Sequence, residues 1–221
     1  MPVSFKEKDM KFPNAKKGIS KILLSEIIYI IATAVSLIGV LVLIIAGKTS
    51  EGLAAGTGLV ILIGMAVVTV SSIIQLVGII QARKDEKCFK YAILVLILNV
   101  ILAIFASAFE QNVVLNTIFS TLETISELAV IILIVKAIVN LANHMQEPEI
   151  ADKGMHLIKN IIIVNTIEIV ARLTEGLTKD TAAEGITIAL LVCTSVAAIF
   201  KYFIYISLLS RAKKMLAEDT E

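Results

Sequence analysis

Residues 160–177 read NIIIVNTIEIVARLTEGL, a stretch that starts as an apolar helix fit for a bilayer and then places Glu168 and Arg172 inside it. Whether this segment crosses a membrane decides the fold. Its surroundings are plain: Ile27–Gly47, Leu53–Ala82 and Tyr91–Phe109 contain no charged residue. A helix rises ~1.5 Å per residue and the hydrocarbon core is ~30 Å thick, so about 20 apolar residues suffice to cross. The chain is 57% hydrophobic over 221 residues, with mean hydropathy +0.91. The composition and these runs predict an all-α polytopic membrane protein.

Six helices are expected, over residues 19–46, 54–82, 88–109, 117–143, 156–174 and 185–212. The fifth is the weakest by hydropathy, because Lys159, Asn160, Asn165, Glu168 and Arg172 dilute it. Loop charge decides it. Lys and Arg collect on the cytoplasmic side of membrane proteins. The N-terminus carries six lysines; Arg83, Lys84, Lys87 and Lys90 follow helix 2. Lys153 and Lys159 precede helix 5, and Arg211, Lys213 and Lys214 close the chain. The opposite loops hold only Lys48 and Lys179. Both ends then lie inside, the number of crossings is even, and helix 5 must span.

The expected organisation is a basic cytoplasmic segment (1–18), a six-helix transmembrane bundle (19–212) and a short cytoplasmic tail (213–221). The N-terminus is too polar for a signal peptide, and the apolar run after it reads as a retained first span. The setting is a plasma membrane, that of a bacterium. Lys-Gly recurs at 17–18 and 153–154, and SEGL (50–53) returns as TEGL (174–177). The chain then reads as three helical hairpins, although the two pairs of matches are offset by unequal distances. Cys88 and Cys193 fall in an inner loop and a span, so no disulfide between them is expected.

Thr57, Gly64, Ser71 and Gly78 repeat by sevens on helix 2. Such a small-residue stripe lets helices approach closely in lipid. An internal bundle contact is the first expectation, and self-association or a membrane partner the second.

The embedded charges are the candidate site. At ~100° per residue, Asn165, Glu168, Arg172 and Glu175 fall within roughly 80° of one another on helix 5. Asn116, Ser120, Glu123 and Glu127 share a similar arc on helix 4. Lipid-facing charge is expensive, so both faces should turn inward. Counting from the loops, Arg172 and Glu127 lie ~7 Å from the outer end, Glu168 ~13 Å deep, Glu26 and Lys136 ~10 Å from the inner end and Lys201 ~15 Å. The expected pairs are Glu168 with Arg172, Arg172 with Glu127, and Lys201 with Glu168 or Glu26. Such pairs can simply fix helix register, with Lys136 snorkelling its amine to the interface. They can also line a path for a small solute, ion or proton, and that is the functional expectation: a polar interior of helices 4–6. A non-transporting subunit or scaffold is its rival.

Other signals exclude more than they assign. The stretch NHMQEPEIADKGMH gathers His144, Glu147, Glu149, Asp152 and His156, read as a solvated loop rather than a metal site. Lys-rich N-terminal residues suit anionic headgroups or topology equally. Tyr202 and Tyr205 read as interfacial anchors. No Gly-x-Ser-x-Gly, His-Glu-x-x-His or Walker motif occurs, neither histidine lies in a span, and the loops are short. No enzyme activity, catalytic residue, metal, cofactor or nucleic-acid partner is expected.

Overall fold

A computed structural model describes residues 11–46, 51–177 and 181–218, which form six α-helices and, among the described residues, no strand. They are α1 (Pro13–Ala46), α2 (Glu51–Ala82), α3 (Lys87–Ala108), α4 (Val113–His144), α5 (Pro148–Leu177) and α6 (Thr181–Glu218). The helical class follows from the solvent: lipid offers no partner to a peptide group, and a helix satisfies its own. Four of the six are long and apolar enough to cross a membrane: Pro13–Ser36, Leu62–Ala82, Lys87–Ala108 and Val113–His144. The protein is therefore a helical membrane protein with at least these four candidate spans.

Chain neighbours are spatial neighbours. The most extensively packed pairs are α1 with α2 and α3 with α4; α5 lies between α4 and α6, α6 returns to α1, and α2 meets α3. The helices thus close into a ring, with α4 also touching α6. α5 packs more extensively on α4 than on α6, so the third hairpin is less distinct than the first two.

The turns explain where the helices end. Glu86 caps α3, its carboxylate accepting from the Cys88 N–H at 3.4 Å, and Asn112 caps α4 through the Leu115 N–H at 3.2 Å. Every helix begins earlier than its hydropathy suggests, most of all α5, which starts at Pro148. The expected fourteen-residue inner loop is therefore corrected. Only Met145–Glu147 link α4 to α5, and Glu149, Asp152, Lys153 and His156 lie on the first turns of α5. Proline suits the first helical position, where its missing N–H is no loss. The turn before it is a Schellman motif: Glu147 N–H donates to Ala142 O (2.9 Å), Gln146 N–H to Asn143 O (3.2 Å), and Gln146 adopts φ 60°. Glycine occupies that conformation without a Cβ penalty. Gln146→Gly is expected to raise stability by up to ~1 kcal/mol and Gln146→Val to lower it, read as thermal midpoints in detergent.

Among the described residues the packed core gathers at one end of the ring. Ile19, Ile22, Ile79, Phe89, Ile138 and Leu209 are fully buried there, with Leu157 and Ile161 from α5. That end holds the start of α1, the α2–α3 and α4–α5 turns and the end of α6. Polar clips tie it. Asp85 accepts from Asn14 Nδ2 (2.9 Å) and from the Ala15 N–H in the first turn of α1 (2.7 Å), capping that helix from the α2–α3 turn. Asn140 on α4 donates to Glu86 (3.0 Å). At the opposite end of the α3–α4 hairpin, Phe105, Phe109 and Phe119 stack with centroids 5.3–6.5 Å apart.

The small-residue stripe of α2 lies against α1. Gly78 and Gly18 meet backbone to backbone: a Cβ on Gly18 would stand 2.5 Å from Gly78 O, and one on Gly78 2.7 Å from Gly18 O. Ser71 Oγ donates to Ser25 O at 2.6 Å, and Gly64 faces Ser36. The side chain of Thr57 lies outside the described residues. Gly18 and Gly154, the glycines of the repeated Lys-Gly, both sit buried at close helix contacts, Gly154 against Val139 of α4.

Candidate polar site in the helix bundle

Glu26 sits fourteen residues into α1, on the same side as Ile19, Ile22 and Leu23, so the packing that buries them buries it as well. It retains 7% exposure. Its two carboxylate oxygens are taken by two other helices: Gln75 Nε2 of α2 donates to Oε1 at 2.8 Å, and the Tyr202 hydroxyl of α6 donates to Oε2. Tyr29, one turn along α1, brings its ring to 6.4 Å from that of Tyr202. Tyr205 stands edge-on to Tyr202 at 6.2 Å, fully enclosed, and its hydroxyl has no hydrogen-bond partner among the described residues. A carboxylate, a carboxamide and three phenols thus gather between α1, α2 and α6.

This location differs from the helix 4–6 interior expected from the sequence. Of the expected residues, Glu26 and Asn165 are buried. Asn165 turns its amide back to Ile161 O of its own helix at 2.7 Å. Glu127 is exposed, because the interior position on that turn of α4 belongs to Ser126, about 100° away. The side chains of Glu168, Arg172 and Lys201 lie outside the described residues, and so do the pairs expected of them. Tyr202 and Tyr205, read as interfacial anchors, form the walls of the Glu26 cluster.

Gln75 carried a legible signal: it is a carboxamide inside a thirty-residue run without charge. Asn99 is its counterpart in α3, donating to Ser126 Oγ (2.8 Å) and Glu123 O (3.1 Å) of α4. Asn116 of α4 answers with a bond to Ala106 O of α3 at 3.0 Å. A polar amide in an apolar helix must find partners, and for Gln75, Asn99 and Asn116 these come from a neighbouring helix.

Where the start of α5 meets the end of α6, Glu149 accepts from Lys153 and, at 3.0 Å, from Arg211 Nη1. Lys153 first and then Arg211 hold its carboxyl below the usual value of 4.5. Among the described residues no three His, Cys, Asp or Glu side chains gather as metal ligands. No family model, curated protein or solved structure matches the chain.

Proposed function

We propose that the protein binds and moves a small cation, or a solute coupled to one, through its polar interior. It does so as a six-span protein of the plasma membrane, that of a bacterium, with both termini cytoplasmic. The observation behind this reading is Glu26. It is buried, and its described partners, Gln75 and Tyr202, are neutral. An ionised carboxylate is costly to bury among neutral groups, and a proton or small cation upon it removes that cost. Carboxylates at membrane depth serve such relays in carriers. The neighbouring Tyr205 hydroxyl offers a buried donor that a water or a solute would satisfy. Glu168 and Lys201 would hold the midplane, with Arg172 and Glu127 toward the outer mouth and Asn165 between.

The second reading is a subunit or scaffold whose polar groups lock helices, with α2 open to a membrane partner or a second copy. It is favoured by the way every described Glu26 bond joins two helices, as the bonds of Ser71, Asn99 and Asn116 also do. Proteoliposomes loaded for H⁺, Na⁺ and K⁺ flux separate the two. Wild-type protein should pass one of these ions above protein-free vesicles, and Glu26→Gln and Glu168→Gln should abolish the flux while the protein stays folded. Absence of flux for all three, with Glu168→Gln unstable and rescued by also neutralising Lys201, would establish the lock instead.

A further inference from the structure

A cleft of about 450 Å³ opens between α5 and α6 at the packed end of the bundle, a size ordinary for a small-ligand site. Its two ends differ in chemistry. Lys153 of α5 and Arg211 of α6 line one end; Phe203 and Ile204 of α6, with Asn160 of α5, line the other. Phe203 and Ile204 are 63% and 47% exposed, so they present a greasy wall left open by the described residues. Along α6 the step from Arg211 to Phe203 is eight residues, ~12 Å, from a charged rim to the apolar wall. That is the layout of a phospholipid at the membrane surface: phosphate at the rim, chain running inward.

We propose that this cleft holds an anionic phospholipid, its phosphate between Lys153 and Arg211 and its acyl chain along Phe203 and Ile204. Glu149 occupies the anion position when the lipid is absent, for it accepts from both cations. The trio carries one net positive charge, and Glu149 is 70% exposed, so water readily takes the carboxylate when a phosphate replaces it. Basic pockets between helices at the inner surface hold headgroups in this manner. The inference requires only that this end of the bundle meets a bilayer surface; it uses neither Glu26 nor ion flux.

The test is native mass spectrometry of the full chain, released from detergent with equimolar phosphatidylglycerol and phosphatidylcholine of identical chains. Phosphatidylglycerol should be retained preferentially. Lys153→Gln and Arg211→Gln should each weaken it about fivefold, and Glu149→Gln should strengthen it. Lys213→Gln, an exposed base outside the cleft, should leave it unchanged. Equal retention of the two lipids, or equal losses from Lys213→Gln and Lys153→Gln, would overturn the proposal. Displacement by soluble glycerol phosphate at equal concentration would also overturn it, showing a site for free phosphates. Glu149→Gln keeps the test decisive even if Lys153→Gln or Arg211→Gln fails to fold.

Discussion

Gly78→Leu is expected to abolish the folded bundle, and Gly78→Ala to lower its stability by about 1–3 kcal/mol. The atoms a side chain would meet at this position are chiefly backbone. A Cβ there stands 2.7 Å from Gly18 O, 2.9 Å from Ile22 Cγ1 and 3.1 Å from Ile22 N. Helix backbone cannot step aside by rotating a bond, so α1 and α2 must separate. In lipid that separation is serious, because van der Waals packing and interhelical hydrogen bonds, rather than water exclusion, hold the pair. It would also pull Gln75 from Glu26 and Ser71 from Ser25, one and two turns along. Gly64→Ala provides the contrast: its nearest obstacle is the Ser36 hydroxyl, which can swing away. Thermal midpoints by size-exclusion loss should rank wild type, Gly64→Ala, Gly78→Ala from most to least stable. If Gly78→Ala melted with the wild type but changed oligomeric state, the stripe would be a self-association face.

Glu26→Ala should destabilise the protein by up to about 1–3 kcal/mol for each half-buried donor left without an acceptor, the donors being Gln75 and Tyr202. Glu26→Gln keeps an oxygen for one of them and should lose much less. Tyr202→Phe in the Glu26→Ala background should cost little further, since the phenol has by then lost its partner. Additive losses in this double-mutant cycle would show that the two residues act independently. The same variants bear on function. A carrier tolerates Glu26→Gln in stability and fails in flux, whereas a lock shows no such separation.

Some of this architecture was written in the chain order. Runs without charge specify helices in a solvent that accepts no bare peptide group, and Ile27–Gly47, Leu53–Ala82 and Tyr91–Phe109 lie almost entirely within α1, α2 and α3. Helix starts were less legible. Polar first turns such as PEIADKG read as loop by hydropathy, although Pro148 and the left-handed Gln146 give that segment a sharp helical start. Helical periodicity placed Glu127 on a polar arc, but periodicity fixes only which residues share a face. Which face turns inward depends on the neighbours that pack there, and Ser126 took that place.

The site divides in the same way. The sequence by itself determined that Glu26 would lie within a long apolar helix, between Leu23 and Ile27. Only the tertiary structure decided what surrounds it, since Gln75 and Tyr202 lie 49 and 176 residues away along the chain. Hydrogen bonds act over about 3 Å, and that proximity comes from the ring in which α1 meets both α2 and α6. Periodicity orders residues around one helix; helix packing brings the acid, the amide and the phenol together.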